Sequence, residues 1–166
     1  MTASECTIAV VGVGTSPLVE LLLADGHHVF AIDISQVALD KLRAAIGEHL
    51  RLTTRCADAR TVVLDENVDL WHDRAVFHFL VSAADRDAYV TRAAQTVRPG
   101  GHLVLATFAM SGPAQCSGLP VLRHDAASIA AAFAPHFVLV DAFELDHLTP
   151  WSTHQRFFHA LLQRIE

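Results

Sequence analysis

From residue 7 to about residue 143 the chain alternates apolar runs of strand length with segments whose apolar residues recur at helical spacing. Two strands separated by a helix cannot meet as a tight hairpin. The helix carries the chain back across the sheet, so successive strands lie parallel and helices cover both faces. This pattern predicts an α/β fold of three layers with a doubly wound, mostly parallel sheet.

The first strand is expected over residues 7–11 and a turn over residues 12–15; Ser16 then caps a helix that starts at Pro17 and runs to residue 24. The second strand covers residues 29–32 with Asp33 at its carboxyl end, and Ser35 caps a helix through Ile46 whose apolar face carries Val37, Leu39, Leu42 and Ile46. Strands follow over residues 52–55 and 68–72, joined by a loop with no clear helix. Residues 85–97 read as a helix, Arg98-Pro99-Gly100-Gly101 as a turn, and residues 102–108 as a nearly all-apolar central strand. A long segment rich in Gly, Pro and Ser, residues 110–122, precedes an Ala-rich helix from about residue 125 to 133. Residues 137–145 and 157–162 are then strands whose connection is too short for a helical crossover, so they should pair antiparallel. Seven strands in all thus end in a hairpin.

At 166 residues and 52% apolar content, one domain accounts for the whole chain, residues 1–166. A net charge of -6 with no basic run gives no footprint for nucleic acid or an anionic membrane. Three cysteines without metal spacing fit free thiols in a reducing compartment. No apolar stretch reaches the roughly 18 residues of a spanning helix, and no signal-peptide order is present, so a cytoplasmic protein is expected.

Gly12-Val13-Gly14 between a strand and a helix, with Asp33 ending the next strand, is the arrangement of a nucleotide cradle: glycines let backbone approach the ligand, and an acid grips ribose hydroxyls. The interval of 21 residues from Gly12 to Asp33 matches the roughly 20 of such sites. Pro17 stands where a dinucleotide site wants its third glycine. Proline offers a phosphate no N–H, which opposes a pyrophosphate and favours a phosphate-free nucleoside such as S-adenosylmethionine, with Asp58 placed for the adenine amine.

The segments Val11-Gly12-Val13-Gly14, Ala31-Ile32-Asp33-Ile34-Ser35, Ala57-Asp58-Ala59 and Arg98-Pro99-Gly100-Gly101-His102-Leu103-Val104-Leu105-Ala106-Thr107-Phe108 resemble the class I S-adenosylmethionine-dependent methyltransferases over nearly the whole chain. Trp71 to Leu80, with Cys116-Ser117-Gly118-Leu119-Pro120, looks like a small bacterial subgroup of that family. The resemblance implies the same sheet closed by an antiparallel hairpin. It implies that Gly12, Val13 and Gly14 line the methionine part of the cofactor, that Asp33 and Ile34 meet the ribose, that Ala57 and Asp58 meet the adenine, and that His72 stands beside the cofactor. Two positions depart from the pattern: Val10 where the family has an acid, and Ser16 where it has a glycine. The leading segment that usually helps cover the cofactor has no room before Thr7.

Methyl transfer from a sulfonium rests largely on positioning, and a base is needed only for a protonated acceptor. His72 and Asp73 are the candidate catalytic residues, because ligands of open α/β sheets sit beyond the carboxyl ends of the strands. Asp73 also reads as a helix cap or a partner of Arg74, and His78 as a hydrogen-bonded structural histidine. Trp71 reads as core, although it and Trp151 are also candidates to face a sulfonium or an apolar acceptor. The histidines do not read as a metal site, since His27 and His28 share a turn and His154 and His159 fall on opposite faces of a strand. The acceptor, a small molecule or a protein side chain, is not identified, and a homodimer is left open. A binding or regulatory protein that keeps the fold without the chemistry is the alternative, with a nicotinamide oxidoreductase behind it. Residues 110–122 are expected to border the cleft.

Overall fold

The computed structural model describes residues 5–14, 16–149 and 154–166. In order these form β1 (Thr7–Val11), α1 (Leu18–Ala24), β2 (His28–Asp33), α2 (Gln36–Ile46), β3 (Leu52–Cys56), β4 (Val68–Arg74), a one-turn 3-10 helix (Phe77–Phe79), α3 (Ala83–Thr96), β5 (Val97–Phe108), β6 (Gln115–Cys116), β7 (Leu119–Pro120), α4 (Ala126–Phe133), β8 (Phe137–Leu148) and β9 (His154–Arg164). One seven-stranded sheet runs β3-β2-β1-β4-β5-β9-β8. Its first five strands are mutually parallel, and β9 is antiparallel to both β5 and β8. The seven strands of this sheet and the four α-helices follow the expected order and direction; β6 and β7, which pair with each other in a separate two-stranded sheet within residues 110–122, are not among the expected elements.

Alternation along each strand divides the core. Ile8 and Val10 face one side with Val19 and Leu23 of α1 and Leu39 and Leu42 of α2. Ala9 and Val11 face the other with Trp71, Leu103, Leu105 and the buried residues of α3 and α4. Burying that many aliphatic and aromatic side chains, each worth about 1.5–3 kcal/mol, supplies the driving force for this packing. On β8, at the edge of the sheet, Val138, Val140, Phe143 and Leu145 remain about half exposed.

Several boundaries differ from the sequence reading. Pro17 lies at the cap of α1 rather than in its first turn, and the Leu18 N–H bonds Ser16 Oγ at 3.3 Å. Val37 points outward and is 64% exposed, because the stripe of α2 that meets the sheet runs through Leu39, Leu42 and, partly buried, Ile46. Ser82 caps α3 by accepting the Asp85 N–H, so that helix starts two residues earlier than its charges suggest. Residues 98–101 bulge out of the ladder within β5, since Val97 pairs with Val68 but His102 already pairs with Leu70. A Cβ at Gly101 would sit 2.9 Å from the Asp69 carbonyl oxygen, so only glycine lets β5 pass that close to β4. The hairpin strands are longer than expected, with β8 pairing β9 from Phe137↔Arg164 to Leu148↔His154.

Strand order reverses between β1 and β4, and this reversal opens a crevice at the carboxyl ends of the parallel strands. The β1–α1 bend, the ends of β2 and β3 and the segment after β4 therefore converge on one place.

Candidate functional site

The bend after β1 is built around two glycines with positive φ, Gly12 at 66° and Gly14 at 50°. A Cβ on Gly12 would stand 2.3 Å from Val76 Cγ2, so the conformation and the close approach both exclude a side chain. Asp33 is tied to this bend. Its Oδ2 accepts the Gly14 N–H at 3.3 Å and its Oδ1 accepts the Ser35 N–H at 2.8 Å, which fixes the carboxylate at the rim of a cavity of about 490 Å³.

That cavity runs from Gly12 and Asp33 past Ile34 to Ala57 and Asp58. Its remaining wall is mostly apolar, with Val76, Phe79 and Leu80 from the segment after β4 and Leu119 and Pro120 from β7. At the far end Asp58 accepts the backbone N–H of Arg60 at 2.8 Å and its Nε at 3.0 Å, and Arg60 reaches on to Asp85. The Arg60 hydrogen bond holds the Asp58 carboxyl below the ordinary carboxylate range. Asp58 is therefore an oriented anion. Sequence reading missed Arg60, whose signal was a cation two positions after the acid.

A nucleoside without phosphates fits these walls. A carboxylate stands ready for sugar hydroxyls, a slot lined by side chains of modest size suits a purine, and the Gly12 cradle admits backbone contact. Nothing comparable awaits a pyrophosphate, because Pro17 has no N–H and the Leu18 N–H is already engaged by Ser16.

The two candidate catalytic residues go to opposite faces of β4. Asp73 is fully buried and lines neither this cavity nor the one beyond it. Its Oδ1 accepts the Val76 N–H at 2.9 Å, and its Oδ2 accepts the Phe77 N–H at 3.1 Å and the Tyr89 hydroxyl at 2.5 Å. Tyr89 in turn accepts Trp71 Nε1–H at 2.9 Å. Burial lifts the Asp73 carboxyl to about 6 despite these donors. The arrangement makes Asp73 a cap, as one of the two sequence readings had it, and it pairs with Tyr89 rather than with Arg74. It pins Ala75, held at φ 67°, and presses Val76 against Gly12. Trp71 is likewise wholly buried and faces no cavity, whereas Trp151 lies outside the described residues.

His72 points the other way, into a second cavity of about 380 Å³ that shares Val11, Gly12 and Ala75 with the first. Burial depresses its imidazole below the usual range, helped by the charges of Arg74 and His159, so the ring is neutral at pH 7. His78 differs from expectation: it is fully buried, yet neither ring nitrogen has a hydrogen-bond partner. Ring packing holds it instead, with Phe79 at 4.6 Å and Phe108 at 4.7 Å between centroids, and burial drives its pKa down to about 4. The segment 110–122 borders both cavities, through Leu119 and Pro120 on the first and Cys116 on the second.

Residues 9–105 match the family model described as a methyltransferase domain. The search of curated proteins found no match to the sequence. Among solved structures, the N-methyltransferase NodS from Bradyrhizobium japonicum WM9 superposes with a TM-score of 0.80 at 14% identity, covering 98% of this chain and 88% of its own. The 1,6-didemethyltoxoflavin-N1-methyltransferase of Burkholderia thailandensis, crystallised with 1,6-didemethyltoxoflavin and S-adenosylhomocysteine, reaches 0.79 at 18% identity over 98% and 72%. The glycopeptide N-methyltransferase MtfA reaches 0.73 at 13% identity over 96% and 84%. These likenesses extend the agreement in fold across the hairpin that the family model leaves out.

Proposed function

Because this chain belongs to the methyltransferase-domain family and is an S-adenosylmethionine-dependent methyltransferase, we propose that its first cavity holds the adenosine half of the cofactor and its second receives a small-molecule acceptor. One observation carries this reading: the Asp33 carboxylate, moored to the Gly14 N–H, stands at the rim of the first cavity with Asp58 at the other end of the same wall. Asp33 and Ile34 would meet the ribose, Ala57 and Asp58 the adenine, and Gly12, Val13 and Gly14 the methionine part.

Bound there, S-adenosylmethionine would supply an electrophilic methyl group to an acceptor lone pair, with the sulfur as the leaving group. The protein contributes position. Gly12 and Ala75, common to both cavities, mark where donor and acceptor meet; Asp73 holds Val76 and Phe77 beside them, and the Ala106 carbonyl accepts the Ala75 N–H. His72, neutral and lining the acceptor cavity, takes the proton of a hydroxyl or ammonium acceptor.

A cavity of about 380 Å³ supports a small molecule over a protein side chain. One seven-stranded sheet takes in strands from Thr7 to Arg164, which supports a single domain acting as the unit. The half-exposed apolar row on β8 supports a homodimer, which light scattering would check. Among the described residues no helix is long and apolar enough to cross a membrane, and the exposed thiol of Cys56 fits a reducing cytoplasm. A crystal structure with S-adenosylhomocysteine tests the core of the reading. Ribose hydroxyls on Asp33 and adenine at Asp58 are expected, and a nucleoside lodged elsewhere would overturn it.

A further inference from the structure

The second cavity has an electrostatic character that the general activity does not require. It lies between the ends of β1 and β4, the start of α1 and the ends of β8 and β9. Among the described residues that line it, Arg74 carries the only permanent charge, and no Asp or Glu is present. Arg74 also makes no salt bridge to any described carboxylate. Its guanidinium lies 5.8 Å from the centre of the Phe157 ring and 3.4 Å from the ring nitrogens of His147. Phe108 and Phe157 pack edge to face at 4.9 Å along the same wall.

We infer that this cavity selects an acceptor with an aromatic ring and a planar carboxylate, and that Arg74 is the group that grips the carboxylate. The inference rests on the reading of the first cavity as the cofactor site. Three features support it. An arginine fork matches a carboxylate with two parallel hydrogen bonds, and the Arg74 guanidinium, which meets His147 through Nη2 but no described carboxylate, keeps donors for them. The Phe108 and Phe157 rings on its wall suit a flat ring, and the lining has no acid to pair with a cationic acceptor. His72 stands on the same strand two residues before Arg74, on the same face, so an acceptor anchored by its carboxylate presents a neighbouring hydroxyl or amine toward a neutral imidazole.

The amino-acid end of the cofactor also carries a carboxylate, and it is the other source of the same chemistry. That end, laid along Gly12, Val13 and Gly14, reaches this same cavity, but it brings an ammonium for which the lining has no acid; the anchor is therefore assigned to the acceptor, and the titration of the cofactor product decides between the two.

The test separates the sources. S-adenosylhomocysteine is titrated calorimetrically into wild-type protein, Arg74→Gln and Arg74→Lys. Each loaded protein is then titrated with benzoate, 4-hydroxybenzoate and anthranilate, and with their uncharged amides. The expected result is an unchanged affinity for S-adenosylhomocysteine, within twofold, in all three proteins. At least one carboxylate should bind wild type ten times or more tighter than its amide, lose that preference in Arg74→Gln and keep part of it in Arg74→Lys. The inference is overturned if no carboxylate is preferred over its amide, if the preference survives Arg74→Gln, or if Arg74→Gln weakens S-adenosylhomocysteine tenfold, which would give Arg74 to the cofactor. Failure of wild type to bind S-adenosylhomocysteine at all would instead sink the reading on which the inference rests.

Discussion

Asp73→Asn isolates the energetic role of the buried network beside the cleft. In the folded protein the Asp73 carboxyl is lifted from its ordinary 3.8 to about 6, mainly by burial, while Tyr89 and the Val76 and Phe77 amides hold it down. Such a lift is worth about 3 kcal/mol. Because the folded value lies above the unfolded one, the group stabilises the fold fully below about pH 4, and this contribution is lost as pH rises through about 6. Asparagine does not ionise and has no such window. Urea unfolding of wild type and Asp73→Asn between pH 4 and pH 7.5 is the assay, and the difference between the two proteins is the quantity to follow. The depressed histidines His72, His78, His124 and His159 work in the opposite sense, losing stability as pH falls, but they are present in both proteins and cancel in the difference. The stability of wild type relative to the variant should fall by about 2 kcal/mol from pH 4 to pH 7.5, because pH 4 already lies just above the unfolded value. A difference that stays flat within about 0.5 kcal/mol would refute the claim that Asp73 is desolvated.

Gly12→Ala should cost about 2–4 kcal/mol from the positive φ and the clash with Val76, read as a fall in melting temperature; adding Val76→Ala should return part of it, because it removes the clash but not the strain. Arg60→Gln should weaken S-adenosylhomocysteine binding about fivefold by freeing Asp58 from its charge-assisted bonds, measured by calorimetry. His72→Gln should slow methyl transfer to a protonated acceptor by about 100-fold or more while leaving cofactor affinity within twofold. Arg74→Gln removes a cation that depresses His72, so the acidic limb of the pH–rate profile should move to higher pH.

The layout of the sheet was legible because each of its strands repeats a simple physical pattern. An apolar run such as Leu103-Val104-Leu105-Ala106 reads as a central strand, and the short interval before Phe157 allows only a hairpin. Asp33 and the glycine bend could be read because φ sign and spacing are local properties. What sequence could not show was direction. His72 and Asp73 are neighbours in the chain, yet the period of the strand sends one into a cavity and the other into the core. Arg74, His147 and Phe157 meet through contacts more than seventy residues apart, which no local spacing announces. His78 shows the limit of a general rule, since buried histidines usually find a partner and this one packs between rings instead.

The account as a whole stands on the sugar of the methyl donor meeting Asp33. The affinity of S-adenosylhomocysteine for Asp33→Asn, compared with wild type by calorimetry at pH 7.5, tests this most directly. Loss of charge-assisted bonds to the ribose hydroxyls should weaken binding about 30-fold or more with little change in melting temperature. Equal affinities in two equally folded proteins would contradict the account.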